Sequence, residues 1–569
     1  MHPEPVAPPA RGRAAPALPA PAPSPPPPRQ ERLQALASQA FDLLVIGGGV
    51  TGCGIARDAA LRGLRVALVE SEDFASGTSS RSSRLIHGGL RYLEHGHLGL
   101  VFESSIERAR LLRLAPHLVR PLSFVWPVYA GARVPRWKLS AGLLLYDALS
   151  LFRNVKGFKS LNARQVLEAV PGLCATGLKG GARYYDAATD DARLTLANAL
   201  GASEAGAVVL NHISVRGLVL EEGRARGATV VDGLTGQELT VSARVLVNAT
   251  GPWSDEIRRL DATGATPAVR GSKGVHVSVP HERLPVREAL TLLSPVDGRV
   301  MFILPAGSGT IIGTTETATT AHPSEVRAST ADVDYLLASA NGFFPQAHLT
   351  PEDVLSAWAG IRPLAASGYS GAGDANSASR EHAIHTSPSG VLAISGGKLT
   401  TFRIMARDVV DAAEKALGIP HRKTPTDSLP LPGGELASYS ATLLAAQGEV
   451  GREDTATHLV RAHGSRWRQV WELTREQPLL AEPLVPGLPY LRAEAVHAVT
   501  LELAHTLSDV LIRRLKVAFE TRDQGRTAAR VAAADLAPLW GWSPEEVERQ
   551  LAAYARDVER LFGIERGGP

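Results

Sequence analysis

The stretch that decides the fold is Phe41-Asp-Leu-Leu-Val-Ile-Gly-Gly-Gly-Val-Thr-Gly-Cys-Gly-Ile-Ala-Arg57. An apolar run breaks into glycines and then resumes at helical spacing, which predicts a strand, a tight turn and a helix. Gly47, Gly49 and Gly52 occupy the three glycine places of the motif G-x-G-x-x-G. The first turns the chain, the second admits a pyrophosphate against bare backbone, and the third lets the helix pack on the strand. The helix N-terminus then faces an anion.

A second predicted strand, Arg65-Val-Ala-Leu-Val-Glu70, ends in a carboxylate. The spacing of about 20 residues from the turn is that of a ribose acceptor in a dinucleotide site, and we expect Glu70 to have this role. The alternative is a plain glycine loop beside an unrelated strand-end charge. The complete order of strand, turn, helix, strand and acid favours the nucleotide site.

The stretch Gly77-Thr-Ser-Ser-Arg-Ser-Ser-Arg-Leu-Ile-His-Gly-Gly-Leu-Arg-Tyr-Leu-Glu94 is rich in hydroxyls, glycines and bases. Composition alone also allows a solvated loop. Together with the glycine turn and the later run Gly396-Gly-Lys-Leu-Thr-Thr-Phe-Arg403, it resembles the flavin-dependent glycerol-3-phosphate dehydrogenases. The resemblance spans residue 41 to the C-terminus, and its motifs agree in residues and in order. It implies FAD as cofactor, glycerol 3-phosphate as substrate and quinone as electron acceptor.

Composition limits the other kinds of partner. Lys and Arg number 60 against 57 acids, so no global basic field favours nucleic acid. The two cysteines, Cys53 and Cys174, cannot assemble a disulfide framework or a Cys-x-x-Cys metal or iron-sulfur site. We therefore expect no nucleic-acid partner, no metal, and a reducing, cytoplasmic location. The sequence leaves a homodimer open.

The N-terminal residues 1–38 are dominated by Pro and Ala, and they predict a disordered tail outside the fold. No run reaches the ~20 apolar residues of a spanning helix. Access to quinone therefore implies a peripheral contact with the inner face of the cytoplasmic membrane. The predicted helix at residues 400–415, with Arg422 and Lys423 beyond it, is the candidate contact. The same spacing also suits a helix buried on the flavin domain.

The periodicity of the chain predicts an α/β fold in several parts. A Rossmann-like FAD-binding domain, an antiparallel-sheet substrate domain and a C-terminal helical cap domain are expected. The FAD-binding domain takes residues 39–98, 185–262 and 381–425, the substrate domain 99–184 and 263–380, and the cap 430–569. Within the cap, helices are predicted at residues 493–517, 526–534 and 544–562.

Oxidation of an alcohol by a flavin needs a base for the hydroxyl proton and cations for an anionic substrate. The arrangement from Lys273 to His276 resembles the family's substrate-sheet histidine, so His276 is our first candidate for the base. Arg362 is expected to stabilise the forming alkoxide, and His87 is the second candidate for proton handling. Without the resemblance, His276 would be read as a core histidine and Arg362, which precedes Pro363, as a surface turn.

The remaining implied site residues bind the substrate or the cofactor. Positions of the family motifs that suit phosphate are Arg91, Tyr92, Arg380 and Lys398. The cofactor contacts implied beyond Gly47, Gly49, Gly52 and Glu70 are Thr78, Ser79, Gly251, Gly397, Lys398, Leu399 and Thr400. The glycines beside Lys398 also indicate a close approach of backbone to a ligand.

Two rival functions remain open. A glycerol-3-phosphate oxidase of the same fold passes its electrons to oxygen, and none of these residues excludes it. A flavin-binding scaffold without turnover is of another class, and the presence of His276, Arg362, Arg380 and Lys398 is against it. The anaerobic dehydrogenases differ, because that family carries a cysteine-rich C-terminal region and this chain has no cysteine after Cys174.

Overall fold

The computed structural model describes residues 25–93, 96–151, 155–261, 269–365 and 381–566. These residues form two large β-sheets with helices packed on them, followed by a helical C-terminal region. The expected α/β class, with a second sheet and a helical C-terminal part, is confirmed.

The strands of the described residues are numbered in chain order. They are β1 Ala40–Ile46, β2 Val66–Val69, β3 Leu85–Ile86, β4 Val119–Tyr129, β5 Lys159–Leu161, β6 Leu178–Thr189, β7 Val208–Leu210, β8 Ile213–Glu221, β9 Arg224–Asp232, β10 Glu238–Asn248, β11 Val269–Pro280, β12 Ala289–Leu293, β13 Val300–Ala306, β14 Gly309–Gly313, β15 Thr317–Thr319, β16 Ala328–Ser329, β17 Ser356–Ala365, β18 His382–Thr386, β19 Leu392–Gly396 and β20 Ile564–Glu565.

The α-helices of the same residues are numbered likewise. They are α1 Arg29–Ser38, α2 Val50–Leu61, α3 Leu98–Leu114, α4 Arg136–Leu149, α5 Ala163–Ala169, α6 Asp191–Glu204, α7 Ser254–Asp261, α8 Thr330–Phe343, α9 Phe402–Leu417, α10 Tyr439–Val450, α11 Glu453–His463, α12 Trp467–Glu476, α13 Arg492–Leu501, α14 Val517–Glu520, α15 Arg526–Trp540 and α16 Pro544–Phe562.

The first sheet has the order β18-β19-β10-β1-β2-β7, and β8 and β9 extend it from β10. Strand β1 runs parallel to β2 and β10, and β10 runs parallel to β19. The carboxyl ends of β1, β2 and β10 meet at one edge, because Ile46 pairs with Val69 on one side and with Asn248 on the other. In open α/β sheets this edge is where ligands bind.

The second sheet has the order β15-β11-β14-β13-β12-β4-β6-β3, with β17 paired to β11 and β5 to β6. Side chains alternate across β11: Val275, Val277 and Val279 are buried in a core that includes residues of α8. His276 points to the opposite face. The boundary expected between residues 184 and 185 falls inside β6, which stays in this sheet to Thr189.

The expected disorder of residues 1–38 is wrong for the end of that range, where α1 packs on the first sheet. Leu33 and Leu36 are buried in a core cluster. Arg29 forms a 2.6 Å ion pair with Asp232, and Arg32 donates to the carbonyl of Val209 at 2.6 Å. Leu33 and Leu36 stand at helical spacing directly after the proline run. Because the segment as a whole is rich in proline, its composition does not indicate this helix. Residues 1–24 lie outside the described residues.

The single helix predicted at residues 493–517 is also wrong. Helix α13 ends at Leu501, Leu503 has a φ of +60°, and α14 starts only at Val517. The break has a polar cause, because the buried carboxylate of Glu502 forms a 2.6 Å ion pair with Arg193 of α6.

The helix proposed for the membrane contact is α9, and it lies in the interior. Its apolar side chains pack in the core of the first sheet and against its neighbours, and the buried ones are Phe402, Ile404, Met405, Val409, Val410 and Leu417. The prediction of a membrane-facing helix at residues 400–415 is therefore wrong, and the buried alternative is correct. No helix in the described part of the chain is long and apolar enough to cross a bilayer.

Candidate active site

Both sheets line one cavity of about 510 Å³. It begins at the carboxyl edge of the first sheet and reaches the polar face of the second. The sequence-predicted residues that line it are Gly47, Gly49, Glu70, Thr78, Ser79, His87, Tyr92, Gly251, His276, Arg362, Gly397, Lys398, Leu399 and Thr400. The side chain of Arg91 and the whole of Arg380 lie outside what the structure describes.

The three glycines of the turn have separate roles. Gly47 has a φ of +109°, and a Cβ on Gly52 would lie 1.9 Å from the carbonyl oxygen of Gly47. Both positions therefore need glycine for the fold itself. Gly49 has an ordinary φ of −71°, and a Cβ there would meet only the hydroxyl of Ser79 at 3.4 Å. Since the protein's own packing does not require glycine at 49, the bare backbone faces the cavity, as a pyrophosphate needs.

Glu70 directly follows β2 at the same edge of the cavity. One carboxylate oxygen accepts a hydrogen bond from the amide of Gly48 at 2.6 Å, and the other accepts from the amide of Glu72 at 2.9 Å. Burial raises the pKa of this carboxyl, although both amide donors act against the shift. The two backbone bonds fix the carboxylate beside the glycine turn, where a ribose is expected.

Residues with hydroxyl groups and further glycines also line the cavity. The hydroxyl of Ser79 accepts from the amide of Val50, the first residue of α2, at 3.0 Å, and Thr78 donates to the carbonyl of Ile361 at 2.6 Å. Thr78 thereby links the first sheet's loop to β17 of the second sheet. Gly251 and Gly397 have φ values of +56° and +83°, which favour glycine.

Thr400 connects the two motifs that carry the resemblance. Its hydroxyl accepts from the amide of His87 at 3.1 Å and lies 3.2 Å from the carbonyl oxygen of the same residue. These bonds fix the backbone on which the His87 side chain sits at the cavity. The expected proximity of His87 to the flavin and its share in proton handling both stay predictions.

His276 lies on β11 in the wall of the cavity and is 3% exposed. Its Nε2 is 2.8 Å from the hydroxyl of Ser83, whereas its Nδ1 has no hydrogen-bonding partner in the described part of the chain. Burial, followed by the positive charges of Arg362 and Arg84, lowers the pKa of His276 to about 3. The imidazole is therefore neutral near pH 7 and holds a lone pair that can accept a proton.

Arg362 reaches the same part of the cavity from β17. Its guanidinium donates to the hydroxyl of Thr314 at 3.3 Å and lies 3.3 Å from a carboxylate oxygen of Glu316. Gly274 leaves room for it, since a Cβ at that position would be 3.0 Å from Nη2 of Arg362. The arginine is thus a cavity residue and not a surface turn.

Lys398 follows the glycines at the end of β19. Its Nζ donates to the hydroxyl of Ser104 at 3.2 Å and lies 4.0 Å from the centre of the Tyr92 ring. An ammonium over an aromatic face is held electrostatically, so the two side chains form one cationic corner of the cavity. Both were expected to contact the substrate phosphate.

Sequence reasoning missed the residues that position His276. Ser83 stands inside the quoted motif at residues 77–94, but nothing in the sequence separates it from the other hydroxyls. Trp358 is the cross-strand partner of His276 on β17. Arg84 places its guanidinium 5.4 Å from the Trp358 ring and 4.8 Å from the ring of Phe519. Only the register of β11 and β17 reveals the pairing of His276 with Trp358.

Comparison with known proteins agrees with this architecture. Residues 42–403 match the family model described as FAD dependent oxidoreductase. Residues 424–547 match the model of the C-terminal domain of alpha-glycerophosphate oxidase. Because the first match alone covers more than half of the chain, the fold and the site are those of an FAD-dependent oxidoreductase.

Full-length relatives define the family more closely. Glycerol-3-phosphate dehydrogenase from Mycobacterium leprae is 42% identical over 540 residues, which cover 92% of this chain and 89% of that protein. The enzyme of the same name from Synechocystis sp. is 38% identical over 546 residues, with 92% and 97% covered. The structure of glycerol-3-phosphate dehydrogenase from Bacillus halodurans complexed with FAD matches with a TM-score of 0.78 and 32% identity, over 94% of this chain and 97% of that one. The chain belongs to the FAD-dependent glycerol-3-phosphate dehydrogenase family, as its motifs predict.

Proposed function

We propose that this protein oxidises sn-glycerol 3-phosphate to dihydroxyacetone phosphate with FAD, and that the electrons pass on to a quinone. One observation carries the proposal. A single cavity holds the glycine turn and Glu70 at one part of its wall and His276, Arg362 and Lys398 at another. Cofactor and substrate can therefore meet without any rearrangement of the two sheets.

The residues fit FAD at the first part of the wall. Gly49 leaves space that the protein does not use, α2 begins there with its positive dipole end, and Glu70 is fixed beside the turn. Bound FAD supplies the ring that accepts a hydride. The protein's own contribution is to hold the substrate, to take its proton and to keep water away.

His276 takes the proton of the substrate's secondary hydroxyl in this proposal. A pKa of about 3 makes the imidazole neutral but weakly basic. Burial is the first cause of that low value and the charges of Arg362 and Arg84 are the second, so an anionic substrate that neutralises these charges raises the pKa of His276 only by their share. The imidazole is therefore more basic with the phosphorylated substrate bound than without it.

The positively charged residues bind different parts of the substrate. Arg362, which lies near His276, stabilises the negative charge that forms on the hydroxyl oxygen. Lys398 and Tyr92 bind the phosphate, and Arg91 and Arg380 are proposed for the same task from the family motifs alone. Hydrogen bonds to charged groups contribute ~1.5 to 3 kcal/mol each, so two or three of them suffice for micromolar to millimolar affinity.

The identity of the electron acceptor distinguishes the proposed dehydrogenase from its main alternative, a glycerol-3-phosphate oxidase. The C-terminal match to a domain of alpha-glycerophosphate oxidase favours oxygen as the alternative acceptor. Purified, flavin-loaded protein should be reduced by glycerol 3-phosphate without air and then reoxidised by a soluble quinone analogue or by oxygen in separate stopped-flow traces. Faster reoxidation by the quinone supports the dehydrogenase. Rapid reoxidation by oxygen with stoichiometric peroxide would make the protein an oxidase.

The same sample tests the non-catalytic alternative. Anaerobic addition of glycerol 3-phosphate should bleach the flavin absorbance near 450 nm. Glycerol without phosphate is the matched control, because it has the reacting hydroxyl but no anion for Lys398 and Tyr92. A yellow sample that glycerol 3-phosphate does not bleach contradicts the enzyme proposal and leaves a flavin-binding scaffold.

A further inference from the structure

A short segment of the C-terminal region, from Lys516 to Phe519, packs against the residues that support His276. It contains the start of α14 and lies in the part of the chain that matches the C-terminal domain of alpha-glycerophosphate oxidase. The side chains of Lys516 and Phe519 are buried, and neither residue lines the described cavity. Any influence of these two residues on the proposed reaction must therefore pass through their neighbours.

Lys516 reaches the loop that carries Ser83 through one carboxylate. Its Nζ lies 3.3 Å from Oδ1 of Asp191. The other oxygen of that carboxylate accepts hydrogen bonds from the hydroxyl of Ser82 at 2.7 Å and from its amide at 3.2 Å. The Ser82 hydroxyl in turn accepts from the amide of Arg84 at 2.9 Å. Both chain neighbours of Ser83 are thus held by contacts that begin at the buried ammonium.

Phe519 reaches His276 by a separate route, through Trp358. Its ring meets the Trp358 indole edge to face, at an interplanar angle of 85°, and His276 stacks on the same indole. The carbonyl of Phe519 accepts from the hydroxyl of Ser356 at 2.8 Å, which ties the segment to β17 two residues before Trp358. Because aromatic pairs have a preferred geometry, loss of the phenyl ring would let the indole tilt, and the imidazole with it.

Arg84 belongs to both routes. Its amide is bound by Ser82, whereas its guanidinium lies over the rings of Phe519 and Trp358. Its Nε and Nη2 have no hydrogen-bonding partner in the described part of the chain, so the two ring faces, rather than hydrogen bonds to those nitrogens, position this charge. A change at Phe519 would therefore move the guanidinium as well as the indole.

We propose that Lys516 and Phe519 are positioning residues for the proposed base His276. Lys516 holds the loop whose Ser83 hydroxyl lies 2.8 Å from Nε2, and Phe519 holds the indole on which the imidazole lies. The inference rests on the proposed function, and it gives the C-terminal region a part in the reaction although neither residue lines the cavity.

The alternative is a purely structural contact. Lys516 also lies 3.0 Å from Asp190, which caps α6 by accepting from the amide of Arg193. Phe519 likewise belongs to a large core cluster of the C-terminal region. A structural role alone predicts that substitutions lower the stability of the protein and its yield, but leave the reaction rate of each flavin-loaded molecule unchanged.

Anaerobic stopped-flow reduction of the flavin-loaded full chain by glycerol 3-phosphate tests the proposal, because it gives the limiting rate per bound flavin and the substrate Kd separately. We expect Lys516→Met and Phe519→Leu each to lower the limiting rate by about three- to tenfold, with little change in Kd. Lys516→Arg keeps the charge and should restore most of the rate. Phe519→Leu removes no charge, so it decides the test if Lys516→Met does not retain flavin.

Two further variants separate positioning from packing. Phe562→Leu is the matched control, since Phe562 of α16 meets the Phe519 ring edge to face, with centroids 4.9 Å apart, one ring further from His276. It removes the same kind of ring from the same core cluster and should keep the wild-type rate. Ser83→Ala/Lys516→Met should be no slower than Ser83→Ala alone, because both changes act on one hydrogen bond, whereas independent effects would multiply.

Three results overturn the proposal: wild-type rates in Lys516→Met and Phe519→Leu, a loss in Phe562→Leu equal to that in Phe519→Leu, or losses that multiply in the double variant. A rise in Kd at an unchanged limiting rate also overturns it. Wild type that glycerol 3-phosphate does not bleach contradicts the proposed function, and the inference falls with it. Wild type that is bleached no faster than any variant contradicts the inference alone.

Discussion

His276 lies flat against Trp358, with ring centroids 5.5 Å apart and ring planes inclined by 11°. The two residues are direct cross-strand partners on β11 and β17. Phe519, from the C-terminal region, contacts the Trp358 ring edge to face, with the ring centroids 5.2 Å apart. The stack fixes the plane of the imidazole, and the hydrogen bond between Ser83 and Nε2 fixes its rotation.

Ser83→Ala should lower kcat up to about tenfold with little change in KM, because the hydroxyl orients the proposed base and does not bind the phosphate. Steady-state rates with a soluble dye measure both constants. Ser83→Thr retains a hydroxyl and should restore most of the rate. A kcat equal to that of wild type in Ser83→Ala would remove Ser83 from the positioning of His276.

Gly49→Val should abolish FAD retention while the chain still folds, because the new side chain fills cavity space and meets no backbone. The flavin-to-protein absorbance ratio after gel filtration is the measurement. Gly448→Val is the control, since a Cβ at Gly448 meets nothing within 4 Å and this residue of α10 does not line the cavity. A normal flavin content in Gly49→Val contradicts the placement of the pyrophosphate.

Lys398→Met should raise the KM for glycerol 3-phosphate by roughly ten- to a hundredfold, as expected for the loss of one charged hydrogen bond to the phosphate. Methionine keeps the length of the side chain over Tyr92 and removes the charge. Anaerobic titration of the flavin with glycerol 3-phosphate gives the affinity directly. An unchanged affinity would assign Lys398 to the flavin and not to the substrate.

The protein should lose stability as the pH falls below about 6.5. Burial is the main cause that lowers the pKa of each of four histidines to about 3, and these are His117, His276, His497 and His505. Between pH 6.5 and 3 the unfolded chain binds protons at these positions and the folded chain does not, so stability rises with pH in this window. Each histidine contributes up to ~1.4 kcal/mol per pH unit.

Urea unfolding at several pH values measures that slope. His212 acts in the opposite direction, because Asp509 raises its pKa despite burial, but it is one residue against four. His497→Leu is the informative variant, since neither ring nitrogen of His497 has a hydrogen-bonding partner in the described part of the chain. In this variant the free energy of unfolding should change less steeply with pH than in wild type, by the contribution of one histidine. An equal slope would show that His497 titrates normally.

Sequence patterns predicted those parts of the fold that depend on interactions between residues close together in the chain. The glycine turn, Glu70 at the end of β2 and α3 over Leu98–Leu114 follow from spacing and turn chemistry. Helix α9 shows the limit of such patterns. Its apolar stripe is the same for a buried helix and for a membrane contact, and only its neighbours in space decide between them.

The site was predictable where a motif names the residue and not where pairing creates the contact. His276 and Arg362 stand in recognisable motifs and line the cavity. The stack on Trp358 depends on the register of two strands that are about 80 residues apart in sequence. Glu502 illustrates the same limit in the C-terminal region, where a buried ion pair with Arg193 overrides helical periodicity.

The strand order of the first sheet also determines when the nucleotide site can form during synthesis of the chain. Strand β1, which carries the glycine turn, pairs with β10, and β10 in turn pairs with β19 through Asn248 and Ala393. At ordinary ribosomal speeds of ~5 to 20 residues per second, β19 leaves the ribosome roughly 20 to 70 s after β1. Until then Val247 and Asn248 of β10 lack their partners on β19, and the nucleotide cradle is unfinished. FAD loading must therefore follow synthesis of β19, and the unpaired end of β10 stays exposed until that strand has been made.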